Sequence, residues 1–171
     1  MNEPAFTIRT AGQHDAEALL TCLSTLDNET QYLLLEPDER RTTVDTQRTL
    51  IQDMEENPRN LLLVAATPSA IVGYLGAKGG RYRRNQHVLS SLSLGVLNSY
   101  QRRGVGRSLI SRAIKWARTQ DFKRIEFTSH AENHAATKLY LSLGFQVEGT
   151  RRNALSVDDR LMDELWMSKL L

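Results

Sequence analysis

The sequence has few of the residues that build covalent or metal-based frameworks. Cys22 is the single cysteine among 171 residues, which excludes an intrachain disulfide and a cysteine metal cluster. Because Cys22 lies on an apolar helical stripe, we expect it to be a small buried hydrophobic residue. The His, Asp and Glu residues do not cluster at metal-ligand spacing, so the sequence predicts no metal site.

Long apolar runs and an excess of one charge are also missing. No apolar run reaches the roughly 18 residues that a membrane-spanning helix needs, and the N-terminal MNEPAFTIRT does not have a signal-peptide pattern. The 22 basic and 20 acidic residues give a formal net charge of +2, which argues against a general nucleic-acid binder. We therefore expect a cytoplasmic protein that binds neither membranes nor nucleic acids.

The length and composition indicate one folded domain. A chain of 171 residues is long enough to bury one core and short for two domains. Its 40% hydrophobic and 25% charged residues are ordinary for a globular fold. We therefore expect a single domain over residues 1–171.

Hydrophobic periodicity predicts alternating strands and helices. Apolar and polar residues alternate, or apolar residues run together between turns, in seven predicted strands: 6–9, 60–66, 70–78, 87–96, 123–129, 145–155 and 161–171. Helical spacing and capping residues predict four helices: 12–29, one capped by Thr43 or Asp45 that ends near Glu56, 105–119, and one over 133–144 closed by Gly144. This order predicts a mixed α/β fold with one central sheet, antiparallel in its first part.

A glycine turn joins the strand over 87–96 to the next helix. It reads YQRRGVGRSLI, residues 100–110. The first amides of a helix lack intrahelical acceptors and lie at the positive end of its dipole, so they attract anions. Gly104 and Gly106 let the backbone approach a ligand closely. Three arginines can add charge-assisted hydrogen bonds to phosphate: Arg102, Arg103 and Arg107.

Two common phosphate motifs do not fit this turn. No Gly-Lys-Ser/Thr follows, so it is not a Walker A loop, and Leu109 fills the third glycine position of a dinucleotide fingerprint. A capped helix on a solvated surface turn is the alternative interpretation.

Two motifs together carry a family resemblance. Residues 101–106, Gln-Arg-Arg-Gly-Val-Gly, match a Gln/Arg-x-x-Gly-x-Gly/Ala loop between a strand and a helix. Further along stand Asn133, Ala136, the pair Leu139-Tyr140 and the pair Gly144-Phe145. In this order the motifs resemble the acetyl-CoA-dependent N-acetyltransferases of the GNAT superfamily. The resemblance is close over residues 88–170 and looser before them.

The resemblance implies a fold and a co-substrate. It implies a twisted, mostly antiparallel sheet of about seven strands flanked by about four helices, with a splayed strand pair at the acyl-CoA site. Coenzyme A would place its pyrophosphate on the turn and its pantetheine arm along the preceding strand, with a backbone N–H near Val96 as oxyanion donor. The residues implied to bind it are Leu94, Gly95, Val96, Gln101, Arg102, Arg103, Gly104, Val105, Gly106, Arg107 and Asn133. Arg102 departs from the family, because many relatives have glycine there.

Acetyl transfer to an amine also needs an acid and a base. Tyr140 matches the family's general acid, which protonates the departing thiolate; the alternative is a core aromatic residue. Asn133 and Tyr140 are two helical turns apart and would share one face. Glu126 is the candidate base, acting through water, while a salt-bridged surface carboxylate is the favoured alternative. His130 and His134 are more typical of solvated polar residues.

The acceptor amine is less defined than the co-substrate. In this fold it is shaped by the segment after the first helix and by the late hairpin, here residues 29–41 and 150–160. Glu29 and Glu36 could bind a cationic amine. These mixed charges fit a small amine, an amino acid or a peptide N-terminus equally, so we expect one of these as the partner.

Two other functions are compatible with the sequence. One is a non-catalytic acyl-CoA-binding regulatory module on the same fold, against which Tyr140 argues. The other is an RNA-associated protein that uses the basic segments 79–86 and 101–107, against which the small net charge argues. Residues 161–171 form an apolar last strand that a second copy could cover, as in relatives that form homodimers.

Overall fold

The computed structural model describes residues 6–171. This part of the chain contains seven strands and four α-helices, in the order β1 Thr7–Thr10, α1 Ala16–Glu29, α2 Val44–Glu56, β2 Asn60–Ala66, β3 Ile71–Gly79, β4 Val88–Val96, α3 Val105–Thr119, β5 Arg124–His130, α4 His134–Ser142, β6 Gln146–Val157 and β7 Arg160–Leu170. Hydrogen-bonded neighbours follow the strand order β1-β2-β3-β4-β5-β7-β6. β1 with β2, β5 with β7 and β6 with β7 are antiparallel, whereas β4 and β5 are parallel. The predicted α/β fold is confirmed.

Two compact units divide the described chain. The first contains residues 6–77 and 93–113, and the second contains residues 78–92 and 114–171. None of the helices within residues 6–171 is long and apolar enough to cross a membrane.

The core of the first unit forms where α1 and α2 pack. The apolar stripe of α1 buries Leu19, Cys22 and Leu26 in a cluster that also contains Ile51 of α2. Burial raises the pKa of the Cys22 thiol to about 12, as expected for a structural cysteine. Of the two predicted caps of α2, Thr43 is the one used, because its side chain accepts a hydrogen bond from the N–H of Thr46 at 3.2 Å, while Asp45 lies in the first turn.

A carboxylate fixes the entry into α1. Asp15 is 4% exposed, and its two oxygens accept hydrogen bonds from Arg9 at 2.6 and 2.7 Å. It also accepts the N–H of Gly12 at 2.9 Å, so it gives an acceptor to a backbone donor that precedes the helix. The hydrogen bond from Arg9 is the main reason that the pKa of Asp15 is lowered.

Asp15→Asn should therefore make stability less dependent on pH. A carboxyl whose pKa is lowered in the folded state stabilises that state above its unfolded pKa of about 4, and this contribution disappears as the pH falls through the folded value. At pH 7 we expect the variant to lose about 1–2 kcal/mol of unfolding free energy. The difference from the wild type should shrink below about pH 4 in urea titrations. Asp53→Asn, on the exposed face of α2, is the control; a gap that stays constant down to acidic pH would contradict this account.

The second unit contains the late hairpin and α4. Asp158 and Asp159, with φ of +49° and +59°, form the two-residue turn between β6 and β7, as primed hairpin turns require. Gly144, with φ of +83°, follows the C-cap of α4 and ends the helix as predicted.

β4 leaves regular pairing early. Its register with β5 covers Val88 with Arg124 and Leu89 with Ile125. Two residues later Ser91 has a φ of +55°, outside the extended region. This irregularity agrees with the splayed strand pair that the resemblance implies.

Candidate active site

The glycine turn follows the end of β4, in the part of that strand that belongs to the first unit. The N–H of Leu97 donates to the carbonyl of Val72 at 3.0 Å, and a short 3-10 turn, Asn98–Tyr100, follows. The Gln101 side chain donates from Nε2 to the Val96 carbonyl at 3.2 Å and to Asn98 Oδ1 at 2.8 Å. Gln101 therefore holds the bend between strand and turn through its side chain.

The backbone of the turn takes two left-handed conformations. Arg102 has a φ of +59° and Gly104 a φ of +87°. A Cβ at Gly104 would meet nothing within 4 Å, so this face of the turn is open space. The Gly104 carbonyl accepts the first intrahelical hydrogen bond of α3, from Ser108 at 2.9 Å. The amides of Val105 and Gly106 precede that first donor and have no acceptor within the helix.

Positive charge surrounds this helix end. Arg102, Arg103 and Arg107 are exposed, and the Arg103 guanidinium lies 5.3 Å from the centre of the Tyr100 ring. The first turn of α3 contains no acidic residue. Cations at a helix N-terminus are each unfavourable by about 0.3–1 kcal/mol. A bound anion interacts favourably with the arginines and with the helix N-terminus and offsets their mutual repulsion, so the turn fits a phosphate group.

Arg102→Gly should stabilise the free protein. A side chain in the left-handed region costs about 1–2 kcal/mol, and glycine removes that cost while adding some unfolded-state entropy. We expect the unfolding free energy to rise by up to about 1 kcal/mol in urea. Arg103→Gly is the matched control, because Arg103 is not among the residues with positive φ and should lose stability. Equal losses in both variants would show that the turn stores no strain.

Near its end, β4 packs closely against side chains of α1 and β3. A Cβ on Gly95 would lie 2.6 Å from Leu26 Cδ1 and 2.7 Å from Tyr74 Cε1, so this position has no room for a side chain. Burial raises the pKa of Tyr74, which also forms a side-chain hydrogen bond with Ser93. Leu94 and Val96, on either side of Gly95, are half-buried.

Tyr140 belongs to an aromatic cluster of the second unit. It is 6% exposed, and its ring lies edge-on to Phe127 at 4.7 Å and to Phe145 at 6.0 Å between centroids. Such pairs stabilise a fold by about 0.5–1.5 kcal/mol beyond burial. The ring of Tyr140 is therefore a core group.

Asn133 caps α4 and is not inside it. The helix begins at His134, and Asn133 Oδ1 accepts the N–H of Ala136 at 3.1 Å. Asn133 is thus the N-cap residue, with φ −77° and ψ 69°, and Tyr140 lies inside the helix. That the two side chains share one face stays a prediction.

Glu126 lies in an ion-pair network. On β5, Ile125 and Phe127 are buried, and the half-buried Glu126 accepts a hydrogen bond from Arg124 Nε at 2.6 Å. The same guanidinium binds Glu148 on β6 and holds the pKa of that carboxyl at about 2. This arrangement favours the salt-bridged alternative for Glu126.

The two histidines differ in environment. His134 is exposed, but His130 is 3% exposed, and its Nδ1 accepts the N–H of Glu132 at 3.3 Å. The expectation of a solvated His130 was wrong, because the side chain of this last residue of β5 is buried. Within residues 6–171, no three His, Cys, Asp or Glu side chains are grouped as a metal site would need.

Comparison with known proteins identifies the family. Residues 25–145, more than half of the chain, match the acetyltransferase (GNAT) family. The chain belongs to this family. GNAT relatives include the L-amino acid N-acetyltransferase AaaT of Escherichia coli, 27% identical over 68% of this chain and 72% of the relative.

Solved GNAT structures share the fold. An acetyltransferase of this family from Streptococcus pneumoniae is 25% identical, with a TM-score of 0.92 over 97% of this chain and 99% of the other. A putative acetyltransferase from Salmonella typhimurium, solved with its cofactor acetyl-CoA, is 23% identical, with a TM-score of 0.85 over 97% and 94%. The family match and the curated relative indicate an acyltransferase of the N-acetyltransferase class.

Two contacts at the end of α1 in this GNAT chain were not predicted from the sequence. Asp27 has a side chain 1% exposed and is paired with Arg40 through two hydrogen bonds, one of 2.9 Å from Nη2. Glu29 accepts the N–H of Asn98 at 2.8 Å. Glu36 is exposed. An acid on the apolar stripe of α1 was the available signal for Asp27, while nothing local marked the contact of Glu29.

Proposed function

We propose that this GNAT protein transfers an acetyl group from acetyl-CoA to a primary amine by direct attack in a ternary complex. The observation that carries the proposal is the turn at 101–107, where open space, free helix-terminal amides and three exposed arginines coincide. Acetyl-CoA supplies the pyrophosphate that such a turn can bind and the thioester that reacts.

The binding roles follow the family pattern. Amides from Gln101 to Arg107 and the arginine side chains bind the pyrophosphate, and the backbone of 94–96 pairs with the pantetheine arm. Asn133 is a further proposed contact through its side-chain amide, since its Oδ1 caps α4.

The chemistry requires a neutral amine, a stabilised oxyanion and a protonated leaving group. The amine nitrogen forms a bond to the thioester carbon while the Val96 N–H donates to the carbonyl oxygen. The carbon–sulfur bond then breaks, and Tyr140 gives its proton to the thiolate. The amine proton passes through water to Glu126 or to solvent; the hydrogen bond from Arg124 favours a structural role for Glu126.

The acceptor is proposed to be an amino acid, a small amine or a peptide N-terminus. The name of the E. coli relative supports an amino acid. Glu36 is exposed between α1 and α2 and could attract an ammonium group. Localisation in the cytoplasm and pairing of two copies through the last strand stay predictions.

A panel of amines tests the proposal. Purified protein with acetyl-CoA should release free thiol when one class of amine is present, and mass spectrometry should find the acetylated amine. Coenzyme A binding without turnover on any amine would instead favour a regulatory acyl-CoA-binding module. Absence of coenzyme A binding would overturn the function.

A further inference from the structure

The last residue of α1 is in an unusual position for an acid. Glu29 lies at the helix C-terminus, where the dipole disfavours negative charge, and the last turn of α1 contains no basic residue to offset it. The position of this carboxylate is therefore not explained by the stability of α1.

Glu29 contacts the bend that leads from β4 into the glycine turn. Leu97 makes the last sheet hydrogen bond, and Asn98, the next residue, gives its N–H to Glu29 Oε2 at 2.8 Å. Asn98 in turn accepts the Gln101 side chain on Oδ1 and the Gln101 N–H on its carbonyl at 3.2 Å. The hydrogen bonds thus run from Glu29 through Asn98 to the first residue of the turn.

The end of α1 is itself fixed. Asp27, two residues before Glu29, is buried and bidentate with Arg40, whose side chain is 15% exposed. Breaking such a buried pair is costly, so the end of α1 is a firm support. The first unit contains all these groups.

We propose that Glu29 is a positioning residue that holds the 98–101 bend, and through it the coenzyme A turn, in the binding conformation. This inference rests on the proposed function and assigns Glu29 to the acyl-CoA side of the reaction. The rival role is an anionic contact for the acceptor amine, because Glu29 also lines an open cavity of about 560 Å³ along α1. The roles differ in what they need: the bend needs an oxygen acceptor, and a cationic amine needs a charge.

Two substitutions separate these roles. Glu29→Gln keeps an acceptor oxygen and removes the charge, whereas Glu29→Ala removes both. We expect Glu29→Ala to weaken coenzyme A binding about tenfold by calorimetry, as expected for one lost hydrogen bond to a charged group. Glu29→Gln should restore most of that affinity, and the amine KM should change little in either variant. Glu56→Ala, at the exposed C-terminal end of α2, is the matched control.

The outcomes are distinguishable. Unchanged coenzyme A affinity in a folded Glu29→Ala protein overturns the inference. A large rise in amine KM for Glu29→Gln, with normal coenzyme A affinity, also overturns the inference and assigns Glu29 to binding of the acceptor. The Glu29→Gln measurement is informative even if the alanine variant does not fold. Wild-type protein that does not bind coenzyme A contradicts the proposed function itself.

Discussion

Tyr140→Phe should lower kcat about 10²-fold while the protein folds and binds acetyl-CoA almost normally. A phenol titrates near pH 10, so at neutral pH it holds the proton that a departing thiolate, with a pKa of roughly 8–9, would accept. The ring packs against Phe127 and Phe145, and phenylalanine preserves both contacts. Steady-state kinetics with a good amine, beside calorimetry with coenzyme A, measures the effect.

The split between rate and affinity is the decisive part of this result. If kcat falls while KM stays the same, kcat/KM falls by the same factor. Such a loss marks an interaction that is made only in the transition state. Tyr82→Phe makes the same chemical change at a side chain 75% exposed in the loop before β4, and should leave both constants unchanged. If Tyr140→Phe turns over at the wild-type rate, Tyr140 is a core aromatic residue and the acid lies elsewhere.

Gly104→Val should weaken coenzyme A binding about 10²-fold, or about 2.7 kcal/mol. Its side chain would project into the open face of the turn, where the pyrophosphate is proposed to lie. A β-branched residue at a φ of +87° is also strained, so the loop should shift and misalign the amides of α3. Calorimetry with coenzyme A and urea unfolding would measure affinity and stability separately.

A second open glycine provides the control. Gly149 on β6 also has nothing within 4 Å of an added Cβ, but its φ is not positive. Gly149→Val should keep the wild-type affinity. If a folded Gly104→Val protein binds coenzyme A with wild-type affinity, the proposal that the pyrophosphate lies on this turn is wrong.

The sequence was most informative where structure is local. β2 and α3 have the predicted bounds, 60–66 and 105–119, because hydrophobic period and capping act over a few residues. The start of α4 differed by one residue because Asn133 suits a cap as well as a helix. Arg102, a visible departure from the family, proved to have the positive φ that glycine adopts easily.

Contacts between distant residues could not be predicted in this way. The contact of Glu29 with Asn98 joins residues 69 apart in sequence, and that of Arg124 with Glu148 joins residues 24 apart. Neither pair leaves a periodic pattern, because a hydrogen bond between elements depends on their tertiary approach. The burial of His130 was likewise not predictable, because burial at the end of a strand depends on what packs around it.

Because no side chain fits at Gly95, substitutions in β4, α1 and β3 depend on one another. Leu26 of α1 and Tyr74 of β3 occupy the space that a Cβ at Gly95 would need. A larger residue at Gly95 therefore becomes tolerable only when both Leu26 and Tyr74 become smaller, so these positions should show epistasis. Changes to the buried face of α1 around Leu26 will consequently also move the backbone proposed to bind the pantetheine arm.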